Sequence, residues 1–381
     1  MTQDAVTQRS FEKLIGAEPV LGRVERLAVL LPEAGGRTLF HAGPPFAAFE
    51  TIPPPVKNAA AAAAMHEGLA DTREDALAAI ASGSIRLAPA QDFGLVTPLA
   101  FVVGPSLFCL EVVDANHPEH RRLAPLNDGP PPDALRFGTG RREGLALLER
   151  LATSVGPELA HHMPAGTAIL PLLAKALAGG DDLHGHVAST QSALLDLFGD
   201  EISSDARSYM SEANQFVLNV IMATAAVMLG AGAGIEDSHL VVAAGGNGVD
   251  FGYKVAGAPD TWITLPATGP QGPKFPGKED AAPLPAIGDS AVIDALGFGA
   301  ACLRFCPTLA EALESHIDPA FLTPAAHDAF VGPHPALGEA SVKVGLDLTR
   351  PRSALGIMLG MLEAGGTGGI IGRGVAPWPA N

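Results

Sequence analysis

Side chains suited to binding and acid–base chemistry are concentrated among the glycines of segment 245–299. In GGNGVDFGYKVAG and GDSAVIDALGFG, they are Asn247, Asp250, Lys254, Asp289, Ser290 and Asp294. Glycine lets the backbone approach a ligand closely, at an entropic cost inside regular elements. Carboxylates, an amide and a lysine in that setting favour a site for a small polar molecule. The alternative is a Gly-rich surface turn whose charged side chains are solvated.

A second cluster, GDDLHGH, places His184 and His186 directly after Asp181 and Asp182. A histidine in a cleft beside a carboxylate is the ordinary device for general acid/base catalysis. The competing interpretation is a helix start, with an aspartate as the N-cap and the histidines on the polar face. Histidines two residues apart point to different sides of a helix, so joint ligation of a metal would need a turn there.

The segment GPKFPGKE at 272–279 has the outline of a phosphate loop, but we reject that interpretation. Glu279 stands where the motif needs a hydroxyl for magnesium, and Pro273 and Pro276 remove amide donors. Pro283 and Pro285 prevent a helix from following. No glycine cluster fits the dinucleotide-binding pattern, so we predict neither a cofactor nor a metal.

The formal net charge is −17, with 41 acidic and 24 basic residues. This balance argues against nucleic acid or an anionic membrane as a partner, because both require clustered lysine and arginine. Three cysteines without metal-type pairing indicate a reduced, cytoplasmic compartment. The apolar run FVLNVIMATAAVMLGAGAGI is predicted to be a buried core helix rather than a membrane span, since it contains Asn219 and Thr224.

Periodicity and composition divide the chain into three predicted parts. These are an N-terminal α+β domain at 1–135, a helical domain at 141–235 and a Gly-rich α+β domain at 238–381. The fold class is therefore α/β of the α+β type, with two mixed domains flanking a helical middle.

Individual elements are predicted from the same patterns. In the first domain we expect a helix or extended arm at 1–22 and a helix at 56–81. We also expect four strands: one at 23–31, one that ends at His41, one at 95–104 and one at 107–114. Helices then follow from Arg142, ending in a long helix at 204–229. In the last domain we expect strands at 239–246, 251–257, 261–267 and 341–348, a loop at 266–285, and helices at 290–305 and 354–362.

Ten short motifs occur in an order that resembles a known family. They are HAGPP (41–45), EGLA (67–70), ASGSI (81–85), NDG (127–129), LRFG (135–138), GDDLH (180–184), QFVLN (215–219), NGVDFG (247–252), FPGKED (275–280) and IGDSA (287–291). This order resembles the family catalogued as domain of unknown function 1116, over residues from about 38 to the C-terminus. One group in that family is the YlbE-like large subunit associated with oxamate carbamoyltransferase.

The resemblance implies a multi-domain protein that works as a homo-oligomer or in a complex with related operon-encoded subunits. It also implies carbamoyl exchange between oxalurate and phosphate, giving oxamate and carbamoyl phosphate. That chemistry needs donors for an anionic substrate and for phosphate, and stabilisation of an oxyanion at the carbamoyl carbon.

From the residues and the resemblance together we predict one site between the His184 region and the 247–294 stretch. The predicted catalytic residues are His184, Asp289 and Asp250. The predicted substrate-binding residues are Asn247, Lys254, Arg136, Ser290, His41 and Asn127.

The sequence departs from the family pattern at several polar positions. Gly246 stands where an arginine is usual, and APAQDFG (88–94) lacks the usual cysteine and two histidines. Around His184, the residues Leu183, Gly185, His186 and Val187 replace Cys, Asn, Arg and Asn. Two functions therefore remain open: a carbamoyl- or amide-group transferase or amidohydrolase of small nitrogen-rich metabolites, or a non-catalytic partner subunit.

Overall fold

The computed structural model describes residues 3–213, 215–352 and 354–379. The α-helices are α1 (Gln3–Gly16), α2 (Leu27–Leu30), α3 (Pro54–His66), α4 (Arg73–Ala81), α5 (Arg142–Arg150), α6 (Gly156–His162), α7 (Leu170–Ala178), α8 (Ala188–Leu197), α9 (Ser204–Glu212), α10 (Leu218–Ala231), α11 (Ala291–Leu296) and α12 (Pro307–Leu313). The strands are β1 (Pro19–Arg26), β2 (Thr38–His41), β3 (Arg86–Pro89), β4 (Phe108–Asp114), β5 (His117–Pro125), β6 (Val241–Asn247), β7 (Asp250–Val255), β8 (Ala258–Pro266), β9 (Ile287–Gly288), β10 (Phe330–Pro333), β11 (Lys343–Leu346), β12 (Gly356–Leu362) and β13 (Ile370–Pro377). The predicted α+β class is confirmed.

Two antiparallel sheets flank the helical region. The first has the order β1-β4-β5, and the second has the order β8-β7-β6-β9. β4 and β6 are buried along nearly their whole length, and β6 is apolar up to its last residue, Asn247. β12 and β13 form a separate antiparallel pair, and β2 and β3 a short parallel one.

α10 lies between the two sheets and explains the long apolar run in the sequence. It packs on β4, β5 and β6, and every residue from Asn219 to Leu229 is buried. The Thr224 hydroxyl donates to the carbonyl of Val220 within the helix, so its polar atom is satisfied. The predicted buried core helix is confirmed, and none of the helices in the described ranges is long and apolar enough to span a membrane.

The prediction of a helix at 354–362 is wrong, because residues Gly356–Leu362 form β12. This strand pairs along its whole length with β13. Gly356 and Gly360 lower helix propensity there. Gly356 also packs so closely on its partner strand that a Cβ would overlap Val375, which only a glycine avoids.

Other predicted elements have different boundaries. The single helix predicted at 56–81 is two helices, α3 and α4, separated by a turn at Gly68 with φ of 66°. The long helix predicted at 204–229 is divided into α9 and α10, and Asn214 between them lies outside the described ranges. Met1 and Thr2, which belong to the predicted N-terminal helix, also lie outside them. The predicted strand 23–31 ends at Arg26 and continues as a helical turn, and residues 95–104 form only isolated bridges.

One hydrophobic cluster holds side chains from all three predicted domains, among them Leu14, Leu173 and Phe251. The helical region therefore shares its core with both sheets. The domain boundaries at 135/141 and 235/238 stay a prediction.

Candidate functional site

A cleft opens between the N-terminal end of α10, the loop before α8 and the β12–β13 pair. Its walls are formed by Pro98, Leu99, Asn127, Arg136, Phe137, His184, Gly185, Gln215, Leu218, Asn219, Ser290, Met358, Leu359, Gly360, Ile370 and Arg373. Four of the predicted site residues, Asn127, Arg136, His184 and Ser290, are brought together here. The leading turn of α10 faces the cleft, so the positive end of the helix dipole favours an anion there.

His184 lies in a loop organised by two buried aspartates. Asp182 accepts the backbone amides of His184, Gly185 and His186 at 3.2, 3.1 and 2.6 Å. Burial raises the pKa of Asp182, although these three amides and the nearby His184 oppose the shift. The carboxylate fixes the loop conformation, and this is why His184 sits in a turn rather than on a helix.

The competing interpretation made an aspartate the N-cap residue, but the N-cap of α8 is Val187 and both histidines precede the helix. Asp181 nevertheless accepts hydrogen bonds from the first turn of α8. Its Oδ2 accepts the backbone amide and the hydroxyl of Thr190, at 2.8 and 2.7 Å, in the first turn of α8. Its Oδ1 lies 3.2 Å from Nδ1 of His186. Asp181 therefore stabilises the start of α8, while His184 faces the cleft.

The His184 ring forms a buried pair with Asp294. Nδ1 of His184 lies 2.8 Å from Oδ2 of Asp294, and both side chains are at most 5% exposed. Oδ1 of Asp294 accepts the amides of Ala300 at 2.9 Å and Met358 at 3.1 Å, which stabilise the carboxylate and fix its orientation. Because a carboxylate accepts, Nδ1 carries a proton, and in the neutral form of the ring Nε2 is the basic nitrogen. No residue in the described ranges hydrogen-bonds Nε2.

Arg136 is a buried guanidinium held by one of its nitrogens. Nη1 donates to Oδ1 of Asn127 at 3.0 Å, Oδ1 of Asp128 at 2.6 Å and the carbonyl of Gly129 at 2.7 Å. The guanidinium carbon lies 4.3 Å from the centre of the Phe137 ring. Within the described chain, Nε and Nη2 have no hydrogen-bond partner. Asn127 thus positions Arg136, whose remaining N–H groups are available for an oxyanion.

Among the cleft residues that were not predicted, Arg373 and Asn219 carry polar groups with unused hydrogen-bonding capacity. Arg373 on β13 is half-buried and forms no ion pair or side-chain hydrogen bond with any described residue. Asn219 in the first turn of α10 is 1% exposed, and its Oδ1 has no donor among the described residues. Both residues stand out in the sequence. Arg373 is the only charged side chain after Glu363, and Asn219 interrupts the apolar run VLNVIM.

Asp289 lies behind the cleft and connects three loops. Its Oδ1 accepts the amide of Gly43 at 2.9 Å and Nε2 of Gln91 at 2.6 Å, and its Oδ2 accepts the amide of Thr97 at 2.9 Å. Complete burial raises its pKa to about 7, against the effect of these donors. Its neighbour Ser290 reaches the cleft wall, whereas Asp289 does not.

The remaining predicted site residues do not line this cleft. Lys254 pairs with Asp92, with Nζ 2.7 Å from Oδ1. Asn247 donates to the carbonyl of Pro44 and accepts two backbone amides, one of them from Asp250. These contacts connect β6 and β7 to neighbouring loops.

His41 is buried, and Asp250 is only half-buried. The His41 ring packs on Phe46, and Nδ1 lies 2.8 Å from the carbonyl of Ala42. Burial lowers the pKa of His41 to about 4. The assignments of Lys254, Asn247, Asp250, Asp289 and His41 to the site stay predictions.

Within the described ranges, no group of three or more His, Cys, Asp or Glu side chains is placed to hold a metal ion. The cleft in this α+β fold holds a buried His–Asp pair and two guanidinium groups. Such a site is suited to acid–base catalysis on small anions. By sequence, the chain belongs to the family described as oxamate carbamoyltransferase subunit AllG, whose family model matches residues 85–290.

Two relatives from Escherichia coli (strain K12) are similar over most of their length. Oxamate carbamoyltransferase subunit AllG is 28% identical over 78% of this chain and 73% of its own. The uncharacterized protein YahG is 27% identical over 92% of this chain and 77% of its own. The fold matches the crystal structure of a conserved protein of unknown function from Enterococcus faecalis V583, with a TM-score of 0.89 and 23% identity over 99% of this chain and 94% of that one.

Proposed function

We propose that the cleft binds a small carbamoyl-bearing anion and that the protein transfers its carbamoyl group, as in oxamate carbamoyltransferase. The observation that carries this proposal is the His184–Asp294 pair, which faces a cleft that also holds Arg136 and Arg373. Family membership supplies the reaction class.

His184 is the proposed general acid and base. A phosphate oxygen attacks the carbamoyl carbon of an oxalurate-like substrate while Nε2 takes the proton from hydrogen phosphate. The C–N bond to the leaving amide then breaks, and the same Nε2 returns the proton to the leaving nitrogen. The products are a free primary amide such as oxamate and carbamoyl phosphate. Asp294 stabilises the imidazolium that forms between the two transfers, because its carboxylate already faces Nδ1.

The two arginines are the proposed anion-binding groups. The reaction brings together a carboxylate and a phosphate, and two negative groups in one partly enclosed cleft repel each other unless cations compensate them. Asp128 partly compensates the charge of Arg136, whereas Arg373 forms no ion pair with any described residue. The positive end of α10 adds to the same field.

A second candidate function is that of a non-catalytic partner subunit, which the packing around His184 favours. Leu183 is fully buried in the core, where the family pattern has a cysteine. Gly185 stands where an asparagine is usual, and a Cβ there would lie 2.7 Å from Leu309 and 3.0 Å from Met358. The side chains of Leu309 and Met358 therefore occupy the space that the first atoms of an asparagine side chain would need.

The test is the formation of carbamoyl phosphate from oxalurate and phosphate, by the purified chain alone and with its operon-encoded partners. We expect His184→Gln to lower the rate by about 100-fold or more, because a positioned acid/base contributes 10²–10⁴-fold. His316→Gln is the matched control, since His316 is an exposed histidine away from the cleft. Activity that survives His184→Gln would overturn the mechanism. Turnover by the isolated chain would exclude the non-catalytic alternative.

A further inference from the structure

Asn219 combines three properties that are rarely found together. It is 1% exposed, it contributes to the cleft wall, and its Oδ1 has no donor among the described residues. An acceptor removed from water without a replacement donor is costly. An apolar side chain between Leu218 and Val220 would avoid that cost, so the amide calls for an explanation.

The orientation of the Asn219 amide is fixed by its other end. Nδ2 lies 2.7 Å from the carbonyl oxygen of Pro125, the last residue of β5. A flipped amide would set two oxygens against each other, so the nitrogen must face Pro125. The unpaired atom is therefore an acceptor, and its missing partner is an N–H or O–H group.

The other polar groups around the cleft do not supply this donor. Nε2 of Gln215 points to the carbonyls of His184 and Gly185, at 3.3 and 3.4 Å. Nη1 of Arg136 is engaged by three oxygens. The cleft thus offers cationic donors at some points of its wall and, at the start of α10, a side-chain acceptor that no described residue satisfies.

We propose that Asn219 is a specificity-determining residue that accepts a hydrogen bond from the amino group of the ligand. This rests on the proposed function, in that the cleft is the ligand site. The ligand class is a small acid whose carbonyl carries –NH2, with its anionic end toward the arginines. A methyl group in place of –NH2 leaves Oδ1 unpaired, and a carboxylate oxygen there is repelled by it.

The test is calorimetric binding of oxamate, pyruvate and oxalate to the full chain. Pyruvate has the shape of oxamate with a methyl group in place of the amino group, so the comparison isolates one donor. We expect oxamate to bind about tenfold or more tightly than pyruvate, which corresponds to one buried hydrogen bond. Oxalate should bind more weakly than oxamate despite its greater charge.

The variant Asn219→Leu should lower oxamate affinity to that of pyruvate while leaving pyruvate within about twofold of its wild-type value. Should this variant fail to fold, the wild-type ligand comparison still decides. Equal affinity of the wild-type protein for oxamate and pyruvate, or binding of neither, overturns the inference.

The inference and the proposed function fail separately. A preference for oxamate without carbamoyl transfer supports the role of Asn219 and counts against catalysis. Carbamoyl transfer without a preference for the amino group supports catalysis and counts against the role of Asn219.

Discussion

His184 and Asp294 are 110 residues apart in the chain, yet Nδ1 of the first lies 2.8 Å from Oδ2 of the second. The contact joins the loop before α8 to α11. Since Oδ1 of Asp294 also accepts the amide of Met358 on β12, one carboxylate connects three elements around the cleft. The ring of His184 is thereby fixed in one orientation and one tautomer.

Asp294→Asn should abolish this arrangement while preserving the size of the side chain. If the amide nitrogen of the asparagine took the place of Oδ2, it would face the N–H at Nδ1 of His184. The ring would then adopt the other tautomer or turn away. We expect the rate of carbamoyl transfer to fall by roughly 10³-fold or more, as in other enzymes with a His–Asp pair. Steady-state kinetics would measure the loss.

The control is Asp347→Asn, because Asp347 is also buried and also accepts a backbone amide, from Thr349. If both variants lost activity equally, the effect of Asp294→Asn would be a loss of folded protein rather than of base orientation.

The sequence predicted part of this cleft because some of its residues stand in recognisable motifs. His184, Arg136, Asn127 and Ser290 were singled out, and they meet in the structure. The pairing of His184 with Asp294 could not be predicted, since it depends on how α11 packs. Nor do residue types predict that the carboxylate of Asp289 hydrogen-bonds Gly43, Gln91 and Thr97.

The fold class was predictable from periodicity, but the buried strand β12 was predicted as a helix. ALGIMLGML (354–362) has apolar residues at spacings that fit either a helix or a buried strand. Its pairing with β13 decides the outcome, and that pairing is tertiary. Asn219 and Arg373 were missed because a lone polar residue in an apolar run gains meaning only when its neighbours in space are known.

The two cleft arginines should respond differently to replacement by glutamine. Arg136→Gln would leave Asp128, whose side chain is 1% exposed, without its cation. Breaking such a buried pair costs about 3–5 kcal/mol of unfolding free energy. Arg373→Gln should cost less than about 1 kcal/mol, because Arg373 forms no ion pair with any described residue. Urea unfolding of both variants would measure the difference.

Arg373→Gln should nevertheless weaken anion binding. Loss of one charge-assisted hydrogen bond corresponds to an increase of about 10- to 100-fold in the dissociation constant of oxamate. Arg142→Gln, which removes an exposed arginine outside the cleft, is the control. Unchanged oxamate affinity in Arg373→Gln would remove Arg373 from the site.

Acid should destabilise the protein partly through His327. Burial, helped by the nearby Arg304, lowers the pKa of His327 to about 4. Nε2 lies 3.2 Å from the carbonyl of Gly297, at the end of α11, while Nδ1 has no acceptor among the described residues. The folded state therefore keeps the ring neutral at a pH where the unfolded chain binds a proton.

The direction in which the unfolding free energy changes with pH follows from proton binding in the folded and unfolded states. Between pH 6.5 and 4 the unfolded state binds more protons at this position, so stability falls as the pH is lowered. We expect the unfolding free energy of the wild type to lose about 2 kcal/mol more than that of His327→Gln between pH 8 and pH 5. Denaturant titrations at the two pH values would show it, with His316→Gln, an exposed histidine, behaving like the wild type. Parallel pH profiles for wild type and His327→Gln would contradict this cause.

Gly246 should not tolerate a side chain, although the family pattern has an arginine there. β6 and β9 pair at this residue, and a Cβ would overlap the carbonyl of Ala286. Because the obstruction is backbone rather than a flexible side chain, the strands must separate to accommodate it. We expect Gly246→Ala to lower the unfolding free energy by roughly 3 kcal/mol or more, and Gly246→Arg by at least as much.

The control is Gly16→Ala, at a glycine whose Cβ would meet nothing within 4 Å, which should change stability by less than about 1 kcal/mol. A Gly246→Arg variant as stable as the wild type would contradict this expectation and would mean that β9 moves readily to accommodate a side chain.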